Sequence, residues 1–543
     1  MVLPKRRRIT HACDFCHRRG LKCKSHLSQQ TDAQEGHQAP SSCLTCIEYG
    51  QQCTRTRRPK KRGTKSHFPN QQPYPSLTAS IQNRHAGSAQ MHNRRTITAL
   101  LDVYLDSIHP TFPLFCEREL WVGWREGTFP NDDSDYMSLV CMCALSTQHI
   151  QKRALFTDDT DVSVSETLGQ DYLAEAIKRV PVGFEHIDLN LIRSYAFLAL
   201  LGSQTGNNAM LHQYLALYHG ACAQFNLLGE SQWPIGLSQC EREVRRRLCW
   251  AMYRLEVHTA CVLGNVVRMS EEQTYVGYPV GTHHPSFIPG RDGQFEDWFT
   301  GWNQTTDLYR VLEHVLFEFR RSHRPSQSIL GFRSGAHSEA LMQRLGQLQA
   351  KLLPQFAIAS SKSGDSGRNR CGFQACNILC TIYLARLLSC ISSKVGIQVT
   401  CNTALEMVET MRAIPLDYVR AIGSPLVQQL AGMGHIIITA TNKQSQTQAD
   451  RLAAHDAVLA IITLLDSFRQ PDEIPSSNQL RLAARVAEIE QSTGASASDA
   501  QHATNSFNKT PHAHVQEMGQ ELWSEMFPTN LLVNFAWIDP GPE

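Results

Sequence analysis

The chain has 543 residues, a formal net charge of +2, 42% hydrophobic residues and 19% charged residues. That apolar fraction excludes wholesale disorder, and at roughly 150 residues per domain the length suggests about three to four domains. No uninterrupted apolar run of about 18 residues occurs, so no membrane span is expected. The basic opening, residues 1–8, is not followed by the apolar core of a signal peptide. The chain is therefore expected to stay in a reducing compartment, with its 18 cysteines as free thiols or metal ligands.

The near-neutral total conceals an uneven distribution. Residues 1–65 hold 15 Lys and Arg against 4 Asp and Glu, a net of +11, and the remainder carries −9. A basic head on an acidic body suggests that one end is built for a polyanion.

Six cysteines lie in the head, and they fall into two halves of identical spacing. Cys13, Cys16 and Cys23 form C-x2-C-x6-C; after 19 residues, Cys43, Cys46 and Cys53 repeat it. The C-x2-C pair lets two thiolates grip one ion from a single turn, and the third cysteine can return after about two helical turns. A segment of about 40 residues is too short for a self-sufficient apolar core. A structural zinc can supply the missing folding free energy, on the order of 10 kcal/mol per site.

Six thiolates do not fill two separate tetrahedral sites. Two zinc ions each reach four ligands if two thiolates bridge, and the symmetry of the repeat makes these Cys13 and Cys43. The alternative recruits His26 and His37 into two independent sites, although both lie in a polar Ser/Gln-rich loop outside the repeat.

The stretch from Ile9 through Cys13-Asp14-Phe15-Cys16-His17-Arg18-Arg19-Gly20-Leu21-Lys22-Cys23 resembles the first half of the fungal zinc-cluster (Zn2Cys6) transcription factors. Residues 43–53 and the basic exit Arg57-Arg58-Pro59-Lys60-Lys61-Arg62-Gly63 resemble the second half. The resemblance implies two zinc ions held by six cysteines, the first and fourth bridging, and a helix that enters the DNA major groove. Carried onto this chain, that helix is about residues 17–22. Lys22 then matches the lysine that reads base edges, typically in a CGG triplet, Arg19 a basic position near the DNA, and Arg18 a phosphate contact. A cationic side chain suits the O6 and N7 acceptors of guanine. The chain departs from the family pattern at His17, usually Arg, at Gly20, usually Lys or Arg, and in its long inter-half loop.

The run Arg55, Arg57, Arg58, Lys60, Lys61, Arg62 and Lys65 suits phosphate contacts and nuclear import. Residues 66–93, rich in Pro, Gln, Asn and Ser, read as a flexible linker. Ile97, Leu100, Leu101, Tyr104, Leu105 and Ile108 make a short apolar stripe that stops at Pro110. It spans under two heptads, too few for a coiled coil, and suits an amphipathic helix docked on its own domain. Monomer and homodimer both stay open.

Residues 94–490 read as an all-α array. Leu211, Tyr214, Leu215, Tyr218, Cys222 and Phe225 follow a helix period, as do Val244, Leu248, Ala251, Met252, Leu255, Thr259 and Val262. Gly202, Gly229 and Gly264 are expected at helix ends. Residues 105–114, with His109-Pro110 and Phe112-Pro113, resemble the opening of the fungal-specific transcription factor domain. Gly206-Asn207, Leu227-Leu228-Gly229, Arg245-Arg246-Arg247-Leu248-Cys249-Trp250, Gly264 and Pro279 follow that domain's order, with Glu256 where Asp is usual. In the family this domain regulates activity. The remaining cysteines lack metal spacing and read as core thiols.

Residues 491–511 read as a second disordered linker. The tail, 512–543, mixes Leu522, Trp523, Phe527, Phe535 and Trp537 with acidic residues and reads equally as a candidate activation segment that recruits coactivators and as a helix that returns to the body. Dinucleotide, P-loop, nucleophile-elbow and H-E-x-x-H motifs are absent, so no enzyme is expected.

The expected architecture is a small binuclear zinc-cluster domain, residues 1–65, followed by a large all-α helical regulatory domain, with disordered linkers. The expected function is a nuclear, sequence-specific DNA-binding regulator of transcription by RNA polymerase II. It would read GC-rich, CGG-like sites in double-stranded DNA and activate a metabolic or secondary-metabolite gene cluster. The alternatives are a repressor of the same family, or a zinc-dependent regulator that binds RNA or protein. For RNA, the head offers only Phe15 and Tyr49 to stack on bases.

Overall fold

Helix caps and apolar periodicity in the sequence account for most of the architecture. The computed structural model describes residues 12–19, 21–23, 42–54, 56, 93–156, 164–165, 167–280, 298–323, 335–393, 395–444, 447–469 and 479–486. The expected linkers, apart from Asn93, and the tail 512–543 lie outside the described residues. The chain divides into two units, Met1–Ile81 and Gln82–Glu543. Among its described residues the first unit has two one-turn helices, α1 (Asp14–Arg18) and α2 (Leu44–Glu48).

The second unit is mostly helical in its described residues, where the one β-pairing is an isolated bridge between Gly229 and Tyr275. Its described residues begin with Asn93 and α3 (Arg94–Val103), which runs into a wider π turn (Tyr104–Ile108). The stripe Ile97, Leu100, Leu101, Tyr104, Leu105 and Ile108 is buried in the core of this unit. The segment is therefore an amphipathic element docked on its own domain. The Tyr104 hydroxyl donates to the Phe112 carbonyl (3.0 Å) and accepts from the Leu114 N–H (3.2 Å), which anchors the following loop.

Next come α4 (Glu117–Glu126), α5 (Asp133–Gln151), α6 (Leu168–Lys178), α7 (Leu189–Gln204), α8 (Asn208–Phe225) and α9 (Gln239–Leu263). Four of these starts, those of α5, α7, α8 and α9, carry side-chain caps: Asp132 accepts from the Asp135 N–H, Asp188 from Leu191, Asn207 from Met210 and Ser238 from Glu241. Gly264 ends α9 in the left-handed conformation, φ 73°. Gly202 is not a cap. It lies inside α7, where a Cβ would sit 2.6 Å from the Leu211 backbone nitrogen, so glycine is needed for the close packing of α7 on α8.

The rest of the unit comprises α10 (Trp298–His323), α11 (Gly335–Ala350), α12 (Pro354–Ala357), α13 (Ser366–Ser392), α14 (Ile397–Arg412), α15 (Leu416–Ile422), α16 (Ser424–Gln444) and α17 (Gln448–Phe468). Helix α13 is long and apolar enough to cross a membrane by length and composition, yet 72% of its most apolar window is buried inside the protein. It packs on α10, α12 and α14. Its Asn369, Arg370 and Gln374 are buried and hydrogen-bonded to the carbonyls of Phe156, Leu105 and Pro110, respectively. It is a core helix of this unit.

Candidate metal centre and nucleic-acid interface

The two halves of the head fold alike because the same hydrogen bonds recur thirty residues apart. The N–H of His17 donates to the Cys13 carbonyl and that of Ile47 to Cys43; Arg19 pairs with Phe15 as Tyr49 does with Thr45; Leu21 returns to Cys16 as Gln51 does to Cys46. Each half thus makes one helical turn and then reverses, which carries its third cysteine back toward its first. Cys13 and Cys43 stand at the N-caps of α1 and α2, and the Cys43 sulfur accepts from the Cys46 N–H (3.4 Å).

The sulfurs meet at the centre. Cys13 Sγ lies 3.7 Å from Cys43 Sγ and 3.5 Å from Cys46 Sγ, and Cys16 Sγ lies 3.7 Å from Cys43 Sγ. The four sulfurs of Cys13, Cys16, Cys43 and Cys46 are all within 4.8 Å of one another. Cys53 accepts from the Cys43 N–H (3.4 Å), and in the first half the Cys13 backbone favours the Cys23 thiolate. Five of the six thiols are buried and Cys53 is half-buried.

Three observations test these residues as a metal site. A tetrahedral zinc with Zn–S bonds of about 2.3 Å sets its sulfurs about 3.8 Å apart, close to the separations seen. The donor set is all sulfur, which suits zinc. Among the described residues, the apolar side chains that pack around the buried sulfurs are Ala12, Phe15, Leu21 and Cys53, too little apolar surface to hold the unit by itself. The cluster can hold a metal ion and is compatible with zinc.

The electrostatics mark out Cys13 and Cys43. Burial pushes the Cys13 thiol up, but the Cys16 N–H and the thiols of Cys46, Cys16 and Cys43 outweigh it and bring it from 9.0 to about 6. Cys43 is likewise lowered: burial opposes, and the Cys46 backbone and the thiols of Cys46 and Cys23 prevail. Burial and these neighbours raise Cys16 to about 12 and raise Cys46 as well.

The helix of the first half differs from the expectation of residues 17–22. Helix α1 ends at Arg18; Arg19 caps it, and Lys22 follows in a non-helical return. The physical reason is the reversal that closes the cluster: the Leu21 N–H folds back to the Cys16 carbonyl (2.8 Å), and Cys23 must come back beside Cys13. Arg18, Arg19 and Lys22 are all exposed, as is His17. The Lys22 carbonyl accepts from the Thr45 hydroxyl (2.8 Å), which ties this return to the second half. Arg57, Arg58, Lys60, Lys61 and Arg62 lie outside the described residues, as do Gly20, His26 and His37.

Sequence reasoning missed the second tie. The Asp14 carboxylate accepts from the hydroxyls of Thr54 and Thr56 (both 2.9 Å) and from the Thr56 N–H (2.8 Å), while the Asp14 N–H donates to the Thr54 carbonyl (2.9 Å). It fixes how the chain leaves the cluster. The signal was an acidic residue within a basic stretch.

In the helical unit, the Arg245–Trp250 segment lies in α9 as a packed hub. The Arg245 guanidinium stacks on the Phe225 ring (4.4 Å) and that of Arg247 on Phe299 (4.4 Å). Arg246 pairs with Glu230 and Glu243, and the Trp250 indole donates to the Gly277 carbonyl (3.1 Å). Nearby, Glu117 accepts from Arg370 (2.8 Å) and lies 3.2 Å from His109 Nδ1. Burial raises the Glu117 carboxyl, but Arg370 and His109 dominate and hold it at about 2.

No curated protein matches the chain. Residues 101–288, which run from the end of α3 past the Arg245–Trp250 hub, match the model of the fungal specific transcription factor domain, and this supports a role in the regulation of transcription.

Proposed function

We propose that this protein is a nuclear, sequence-specific DNA-binding regulator of RNA polymerase II transcription. Two zinc ions, bridged by Cys13 and Cys43 and completed by Cys16, Cys23, Cys46 and Cys53, hold the head in its folded form. Lys22 and Arg19 read a CGG-like triplet. Arg18 and the exit residues Arg57, Arg58, Lys60, Lys61 and Arg62 contact phosphates. The observation that carries this reading is the sulfur cluster centred on Cys13 and Cys43, joined by one short turn to three exposed cations. A duplex carries a dense line of negative charge that such a face meets favourably.

Residues 94–490 serve as the regulatory domain, 66–93 and 491–511 as linkers, and 512–543 as the segment that recruits coactivators. The target is a metabolic or secondary-metabolite gene cluster. The apolar stripe of α3 is spent on its own core, so a homodimer would form through another surface. The test is genome-wide mapping of bound sites in cells that carry the tagged full-length chain. Enrichment of GC-rich triplets at promoters supports the reading. Recovery of RNA in place of DNA would replace it with an RNA-binding role.

A further inference from the structure

The helical unit brings together two cysteines that are 124 positions apart in the chain. Cys116 is the N-cap of α4 and Cys240 lies in the first turn of α9. Their sulfurs and a Glu119 carboxylate oxygen lie within 4.8 Å of one another. Both are half-buried, so small solutes reach them. Cys141, Cys143, Cys222, Cys249 and Cys261 are buried and pushed up by burial. They are inert core thiols by the same criteria.

The surroundings of Cys116 favour its thiolate. The neighbouring Cys240 thiol favours the thiolate, burial opposes, the Glu119 N–H at the start of α4 favours it, the Glu119 carboxylate opposes, and Arg247 attracts; the balance lowers it to about 7. Arg247 is buried, and its Nε–H has no hydrogen-bond partner, so part of its charge is uncompensated. A thiolate-forming, reachable cysteine beside a second thiol is the arrangement of a peroxide-reactive pair.

We propose that Cys116 and Cys240 form an oxidisable thiol pair whose substrate is a hydroperoxide, with Cys116 as the attacking and Cys240 as the resolving residue. The Cys116 thiolate attacks one peroxide oxygen; an S–O bond forms, the O–O bond breaks, and the alcohol or water leaves with a proton. Cys116 becomes a sulfenic acid. Cys240 sulfur then attacks it; the S–S bond forms, the S–O bond breaks, and water leaves with the Cys240 proton. In sum, two thiols and one hydroperoxide give a disulfide, an alcohol or water, and a further water. The disulfide would clamp the N-terminus of α4 to that of α9.

The test uses the zinc-loaded full chain, treated with hydrogen peroxide, alkylated and read by peptide mass spectrometry. The expected result is a linked Cys116–Cys240 peptide pair, lighter by two hydrogen atoms and released by reductant, formed before Cys390 or Cys401 loses its free thiol. With Cys240→Ser, Cys116 should stop at the sulfenic acid and be trapped by dimedone. With Cys116→Ser, Cys240 should keep its thiol. Circular dichroism of each reduced variant establishes that it is folded. Oxidation of Cys116 no faster than Cys390 would overturn the proposal, as would a Cys240→Ser protein that gives no dimedone adduct at Cys116.

Discussion

Cys13 Sγ and Cys43 Sγ lie 3.7 Å apart at the middle of the head, each in contact with a sulfur of the opposite half. If these two bridge, each of them serves both ions and the other four serve one. Metal content should then split by position. Cys13→Ser or Cys43→Ser should lose both zinc ions, and Cys23→Ser at most one, as read by elemental mass spectrometry. His26→Ala should keep two. Loss of one zinc in His26→Ala would favour two independent sites.

The exposed cations should separate into two classes. Lys22→Ala should weaken binding to the preferred site by about 1–3 kcal/mol and blunt discrimination at one base pair. Arg18→Ala should weaken binding to all sequences alike and lower the salt slope by about one. Titrations by fluorescence anisotropy at several salt concentrations decide the assignment. If Lys22→Ala lowers specific and non-specific binding equally, Lys22 does not read bases.

Gly202→Ala should destabilise the helical unit by about 1–3 kcal/mol through overpacking. Its new Cβ would lie 2.6 Å from the Leu211 backbone nitrogen, and backbone cannot swing aside. Chemical denaturation followed by helical circular dichroism measures this. An unchanged midpoint would mean that α7 and α8 are not packed as described.

The helical unit should lose stability in acid in two stages. Burial lowers His109, His149 and His258 from 6.5 to about 4. The folded protein therefore refuses protons that the unfolded chain accepts. This contribution is complete above about pH 6.5 and is lost as the pH falls toward 4. Glu117, lowered from 4.5 to about 2, adds a loss of the same sign below about pH 4.5. Melting temperatures should fall steadily across the first window. A flat or rising profile there would contradict the buried, neutral imidazoles.

The repeat of cysteines was legible because a metal cluster demands fixed local spacing. The long helices were legible because their apolar faces keep a helical period, as Leu211 to Phe225 does. Local pattern failed where the chain closes on itself. The family resemblance puts a helix at about residues 17–22, yet the return of Cys23 to Cys13 ends the helix at Arg18. Gly202 looks like a stop, but a glycine that admits a neighbouring backbone carries the same letter as one that ends a helix. Arg245, Arg247 and Arg370 look like surface charges and are buried against rings and carboxylates. Cys116 and Cys240 meet only through tertiary packing, so no spacing rule could pair them.

The central claim is that a metal-held head reads duplex DNA. The direct measurement is the affinity of the zinc-loaded full chain for a duplex bearing CGG triplets, against a composition-matched scrambled duplex at one salt concentration. The account predicts a preference on the order of a thousandfold that disappears when a chelator strips the zinc. Equal affinity for the two duplexes, or a preference that survives complete removal of the metal, would contradict it.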